Sequence, residues 1–186
     1  MDALELLLTR SSDNKLIEPA PAGEVLDNIL AAGVRAPDHA NLSPFRFIVC
    51  QGEGLNKLSK LFEASAISQN KTEQEIEKAR NAPFRAPMII IGICEYKEHE
   101  KVPRVEQIAT TACAIQNMQM AAFAQGYNGI WRTGPFADDK TVIQELNLNE
   151  QDEIVGYLYL GSLESKTFIK RAKDTSAYVE FWGEKS

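Results

Sequence analysis

Apolar and polar positions change period repeatedly along this chain, and each change marks a change of element. Asp2 is placed to cap a first helix through about Thr9, with Leu4, Leu7 and Leu8 on one face. After Pro19 and Pro21, Val25, Leu26, Ile29, Leu30 and Val34 recur at helical spacing until Pro37. Phe45 to Cys50 alternates and is rich in aromatic and β-branched residues, which predicts a strand. Gly52-Glu53-Gly54 then turns into a helix with Leu55, Leu58, Leu61 and Phe62 as its buried stripe. Thr72-Glu73-Gln74-Glu75 is a capping box opening a charged surface helix to about Asn81. Met88 to Cys94 is a continuous apolar run of strand length, expected at the centre of a sheet. A third strand is expected from Ile154 to Leu160, ending at Gly161, and Asp138 or Asp139 should start a helix through Leu146.

The longest patterned stretch runs from Gln107 to Pro135. Between Gln107 and Gln125 there is no Gly, no Pro and no charged side chain, so the stretch reads as a helix apolar nearly all round. Such a helix belongs inside a domain or at a subunit interface. Its amides, Gln107, Gln116, Asn117, Gln119 and Gln125, argue against a membrane span, because unpaired amides are costly in hydrocarbon. Pro103 suits the first turn and Gly126 a left-handed cap. Gly129-Ile130-Trp131-Arg132-Thr133-Gly134-Pro135 follows, where a strand would return. The alternation of helices and strands gives a three-layer α/β or α+β sandwich in a single domain. The tail from Ser162 to Ser186 lacks a clear helix. Yet Tyr178, Val179, Phe181 and Trp182 are too apolar for a free end, so it should dock on its own domain or on a partner.

Composition narrows the function. The 186 residues are 44% hydrophobic and carry a formal charge of -6, so one domain burying roughly 70% of its unfolded surface is expected. No clustered basic face is visible, which argues against nucleic acid or an anionic membrane as partner. Acids occupy the first residues where a secretory leader would carry Lys or Arg, so no export signal is read there. Cys50, Cys94 and Cys113 are odd in number and lack Cys-x-x-Cys spacing. They read as reduced core thiols of a cytoplasmic protein.

Catalytic machinery made of protein groups is hard to find. His39 and His99 are isolated, no Gly-x-Ser-x-Gly elbow is present, and no metal-ligand spacing occurs. If the chain is an enzyme, an organic cofactor carries the reaction. Three segments compete to hold it: Arg10 to Lys15, Arg35 to His39 and Trp131 to Gly134. They offer Arg10, Arg35 and Arg132 as fixed cations, Ser11, Ser12 and Thr133 as hydroxyls, and Trp131 as a flat apolar surface. That inventory suits a molecule with one phosphate and one aromatic ring system, since arginine binds phosphate through two parallel hydrogen bonds.

Taken in order, Arg10-Ser11-Ser12, Arg35-Ala36-Pro37-Asp38-His39 with Pro44-Phe45, Gly129-Ile130-Trp131-Arg132-Thr133-Gly134, and Val155-Gly156-Tyr157-Leu158-Tyr159-Leu160-Gly161 resemble the nitroreductase family. The likeness is to its short bacterial members and covers Asp2 to Gly161. It implies an α+β fold, a three-layer α/β/α sandwich with a mixed, largely antiparallel sheet, assembled as a homodimer with two FMN at the interface. It implies that NAD(P)H reduces the flavin, which then reduces a nitroaromatic, quinone or similar small-molecule acceptor in a ping-pong cycle. Carried over by position, Arg10, Ser11 and Ser12 hold FMN from one subunit together with Arg35 and His39. Trp131, Arg132 and Thr133 reach it from the partner chain. Ala121, Ala122, Phe123, Ala124, Gln125 and Gly126 match a nicotinamide-cofactor stretch. Ser11 stands where many members have a second basic residue, and Asn14 and Lys15 share the place of the cation that faces the flavin N1/O2 edge. The segment 65–82 is short and polar, which implies an open substrate pocket. Two other readings remain beside this one: a flavin-binding or flavin-storing dimer with little turnover, and an oligomeric interaction protein whose tail clasps a partner.

Overall fold

The structure is a computed structural model describing residues 2–164 and 174–183. Its elements are α1 (Ala3–Thr9), β1 (Leu16–Ile17), α2 (Glu24–Gly33), β2 (Phe45–Gln51), α3 (Glu53–Ser68), α4 (Glu73–Asn81), β3 (Met88–Cys94), α5 (Arg104–Ala124), β4 (Asn128–Arg132), α6 (Lys140–Glu145) and β5 (Glu153–Leu163). Short 3-10 turns lie at His39–Asn41, Ala82–Arg85 and Ser176–Tyr178.

β3 lies between β2 and β5 and is buried along its whole length. Helices cover both faces of the sheet, so its isoleucine run needs no polar alternation. Ile89, Ile91 and Ile93 point into one core with α3, while Met88, Ile90 and Cys94 point into another with α2 and α5. β5 pairs with β3 over Glu153 to Leu160, with β4 over Tyr157 to Gly161, and with β1 at Ser162 and Leu163. Every pairing among the described residues is antiparallel, including β2 with β3. The mixed sheet that the resemblance implied is therefore not what these strands form.

α5 is the spine. Thr111, Ala114, Ile115, Met118 and Ala122 are buried at helical spacing. Close approach is built from small partners. A Cβ on Gly33 of α2 would lie 2.8 Å from Met118 Cε, and one on Gly92 of β3 would lie 2.5 Å from Ile115 Cδ1. Gly126, at φ +88, ends the helix, and Tyr127 N–H reaches back 3.0 Å to the Ala122 carbonyl.

Several expectations change. α1 buries none of its residues, and Leu4, Leu7 and Leu8 are exposed. Within the segment 65–82, α3 continues to Ser68 with Ser65 and Ala66 buried, and the expected helix α4 follows after four residues. Cys113 is exposed on α5, whereas Cys50 and Cys94 are buried. Burial pushes the Cys50 thiol up to about 11, against the pull of Lys57, and raises that of Cys94 as well. β5 extends to Leu163, so the tail begins later than Ser162. Of the tail, 165–173 and 184–186 lie outside the described residues. Tyr178, Val179, Phe181 and Trp182 are exposed.

Candidate functional site

The first motif sits against the spine and the start of β4. Arg10 caps α1, and its Nη1 donates to Ser12 Oγ at 3.0 Å. Ser12 Oγ is also approached by Gln119 Nε2 at 3.4 Å, and the same amide donates to the Gly129 carbonyl at 2.9 Å. Gln119 is buried, so its polar head is affordable only because it joins these two segments. Ser11 is buried as well, while Asn14 and Lys15 are exposed. Lys15 is oriented by its backbone N–H, which donates to Asp13 Oδ1 at 2.9 Å.

The second motif lies at the other end of α5. His39 Nδ1 meets Glu106 Oε2 at 2.7 Å, and Thr110 donates to the Pro37 carbonyl at 2.9 Å. Ala40, Asn41 and Ser43 have φ values of 62, 52 and 48, so the turn is tight and held by Ser43 N–H donating to Asp38 Oδ2. Arg35 is exposed at the end of α2. Glu106 and Gln119 are thirteen positions apart on α5, about 20 Å along the axis and on nearly opposite faces. One chain therefore brings Arg10 to Ser12 together with β4, and leaves His39 about 20 Å away along α5, while the Arg35 backbone lies near Asn117 through the shared Ala32 carbonyl.

β4 presents its residues to two sides. Trp131 packs toward the α5 core, half-buried, with Nε1 donating to the Val155 carbonyl at 3.2 Å. It is less a free flat surface than a wedge holding β4 to β5. Gly156 makes room for the ring, since a Cβ there would lie 2.0 Å from Trp131 Nε1. Arg132, one residue on, turns to the opposite face. Its Nε is buried without a hydrogen-bond partner, and a buried donor in that state costs about 1–3 kcal/mol until an acceptor arrives. Arg132, Thr133 and Gly134 line a cavity of about 320 Å³ roofed by α4 and floored by Phe62, Phe136, Tyr157 and Tyr159. Phe62 stacks on Phe136 with centroids 3.7 Å apart, and Tyr157 donates its hydroxyl to the Phe136 carbonyl at 3.1 Å. Burial raises both tyrosines, and Arg85 and Arg132 pull Tyr159 back down.

The stretch 121–126 is the last turn of α5. Ala122 is fully buried, and Gln125 donates to the carbonyls of Val25 and Ala121. Ala124 and Gly126 are exposed, while Ala121 and Phe123 are half-buried. Tyr157, Tyr159, Arg85 and Gln119 carry no site role in the sequence reading. Strand alternation in β5, the Pro83 and Pro87 bracket around Arg85, and one amide facing inward from an apolar helix were the available signals. Among the described residues no group of three His, Cys, Asp or Glu is arranged for a metal, and no helix is long and apolar enough to cross a membrane.

Solved structures first define the class. A nitroreductase-like family protein from Bacillus cereus superimposes with a TM-score of 0.84 at 22% identity, over 99% of this chain and 97% of that one. A nitroreductase crystallised with bound FMN, from Bacteroides fragilis NCTC 9343, gives 0.71 at 23% identity, over 96% and 97%. These likenesses establish an antiparallel α+β fold of the nitroreductase type. The sequence model of the nitroreductase family matches residues 8–162. YdjA of Escherichia coli (strain K12), provisionally named an NAD(P)H nitroreductase, is 51% identical over 184 residues, 98% of this chain and 100% of its own length. The chain belongs to the nitroreductase family.

Proposed function

We propose that this protein is an FMN-dependent NAD(P)H oxidoreductase working as a homodimer on nitroaromatic, quinone or similar small acceptors. The observation carrying the reading is the orphaned, buried Nε of Arg132 at the end of β4. With the Arg10 guanidinium and the hydroxyls of Ser12 and Thr133, it makes a donor set that fits a phosphate-bearing ring with carbonyl and nitrogen acceptors. When bound, FMN would accept hydride from NAD(P)H and return two electrons to the acceptor.

The chain's own residues bind and orient. Arg10, Ser11 and Ser12, with Trp131, Arg132 and Thr133, serve one cofactor from the same chain, because Gln119 ties the first motif to β4. His39, about 20 Å along α5 from Gln119, and Arg35, whose backbone N–H shares the Ala32 carbonyl with Asn117 of α5, serve the cofactor of the second copy. Lys15 supplies a cation at the flavin edge, and the turn 121–126 meets the nicotinamide cofactor through its exposed Ala124 and Gly126, Ala122 having no exposed surface. The homodimer, with three layers in each copy, covers the outer face of α5, where Val105, Ala109, Cys113 and Ala124 are exposed beside Glu106. The exposed aromatic tail residues Tyr178, Phe181 and Trp182 find their cover on the partner.

Arg10→Ala and Arg132→Ala, dialysed beside the unsubstituted protein, test the reading. Each variant is expected to lose flavin at least tenfold faster. Full flavin occupancy in both variants would remove these residues from the site.

A further inference from the structure

The cavity beside Arg132 carries more positive charge than binding a cofactor requires. Four cations line it, Lys71, Lys78, Arg85 and Arg132, against a single carboxylate, Glu75, in a chain whose net charge is -6. Glu75 is already occupied: its Oε2 accepts from Thr72 N–H at 2.9 Å and from Thr72 Oγ1 at 2.8 Å, with Lys71 and Lys78 as its neighbours. The excess charge therefore lies at the other end. There Arg85 and Arg132 both act on Tyr159, and neither forms an ion pair among the described residues. Arg85 is delivered by the 3-10 turn Ala82–Arg85, which Pro83 starts and Pro87 follows, so its backbone is fixed in place.

With Arg132 turned to the cofactor, the Arg85 guanidinium, beside Phe136 and Tyr159, is left without a carboxylate among the described residues and makes a site for a ring bearing a negative charge. Phe136, half-buried and backed by the fully buried Phe62 at 3.7 Å, offers one flat apolar ring to the cavity. The volume of about 320 Å³ is at the small end of ligand pockets, the size of one substituted ring rather than a dinucleotide. Arginine accepts a carboxylate or sulfonate through two parallel bonds, and charge-assisted bonds of this kind are about twice as strong as neutral ones.

We propose that this cavity admits the electron acceptor and selects planar aromatic acceptors carrying an anionic substituent, with Arg85 as the specificity-determining residue. The proposal rests on the oxidoreductase reading for its catalytic consequence, but not for its binding consequence. A neutral ring fits the same floor and leaves Arg85 unpaired in solvent, so it binds without the charge-assisted contact. Discrimination of this kind shows in KM rather than kcat, since the contact is made equally before and during electron transfer.

The test compares 4-nitrobenzoate with nitrobenzene in the flavin-loaded protein, for the unsubstituted chain, Arg85→Ala and Arg85→Lys. The intrinsic reactivity of the two probes cancels when their kcat/KM ratios are compared between variants. Arg85→Ala is expected to lower the ratio about tenfold through KM for 4-nitrobenzoate, with Arg85→Lys recovering part of it. An unchanged ratio overturns the proposal. Loss of flavin from Arg85→Ala also overturns it, because the cavity would then be holding the cofactor phosphate. If the purified protein neither binds flavin nor turns over, the oxidoreductase reading fails on its own, and titration of the two probes by calorimetry still decides the cavity. Tighter binding of 4-nitrobenzoate, abolished by Arg85→Ala, supports it, and equal or absent binding of both overturns it.

Discussion

Replacing Gly156 by alanine puts a methyl group where the Trp131 indole already stands. The new Cβ would lie 2.0 Å from Nε1, 2.6 Å from Cδ1 and 2.9 Å from the Arg132 carbonyl oxygen. Non-bonded carbon normally keeps about 3.5–4.0 Å from its neighbours, so the ring must withdraw by about 1.5 Å. That motion breaks the 3.2 Å bond from Nε1 to Val155, at about 0.5–1.5 kcal/mol. The backbone oxygen of Arg132 cannot swing aside as a side chain does, so an overpacking cost of about 1–3 kcal/mol adds to it. Unfolding free energy should fall by about 2–4 kcal/mol, a drop in Tm of about 5–15 °C for a domain of this length. Urea denaturation followed by tryptophan fluorescence reads both effects, since Trp131 should also shift its emission in the folded state. Gly54→Ala is the internal control. Its Cβ would meet nothing closer than Cys50 Cβ at 3.7 Å, and a helical glycine replaced by alanine gains about 0.5–1 kcal/mol. A Gly156→Ala protein within about 0.5 kcal/mol of the parent, with unchanged emission, would refute the reasoning that β4 is wedged by this indole.

Phe62→Ala should cost about 3–5 kcal/mol, because Phe62 is fully buried and stacked on Phe136; denaturant titration measures it, and faster amide exchange at 133–137 should accompany it. Thr72→Ala should destabilise by about 1 kcal/mol through loss of the capping box. The Thr72 backbone and hydroxyl donors lower the Glu75 carboxyl, so its contribution is complete above the ordinary carboxylate range and disappears as pH falls through the lowered value. Amide exchange in α4 against pH checks that sign. At pH 8 the buried Cys50 and Cys94 should resist a thiol reagent, with Cys50 held protonated by its pKa of about 11. Cys113 should react in dilute protein and become protected as concentration drives the proposed dimer together.

How much could be read before folding depended on the range of the interaction. Met88 to Cys94 and the uncharged stretch after Gln107 declared themselves because burial on all sides leaves a local compositional mark. Asp139 capping α6, the Thr72 box and the Gly126 stop were legible for the same reason, being contacts within one turn. β1 was not, since two residues, Leu16 and Ile17, carry no period of their own and are strand only because Leu163 and Ser162 lie opposite. The continuation of α3 through Ser65 and Ser68 was hidden by polar composition. Ser68 donates to the Ser65 carbonyl and exchanges a bond with Thr141 of the neighbouring helix, a tertiary partner that propensity does not reveal.

For the candidate site, the sequence supplied the residue types and the structure supplied their grouping. Arg10, Ser12 and Arg132 are legible as donors from their chemistry together with the family resemblance. That Ser12 is tied to Gly129 through Gln119, while His39 is tied to Glu106 at the far end of the same helix, depends on how α5 crosses the sheet. Arg85 was overlooked because its significance comes from what stands opposite it, Tyr159 and Arg132, 47 and more residues downstream.

The most direct test of the central claim is the visible absorbance of freshly purified protein during an anaerobic titration with NADPH or NADH. The account predicts a yellow protein with one FMN per chain, bleached by the nicotinamide and restored on adding a quinone or nitroaromatic. A colourless protein that also fails to take up added FMN would contradict it, and a yellow protein that neither nicotinamide bleaches would leave a flavin carrier in place of an oxidoreductase.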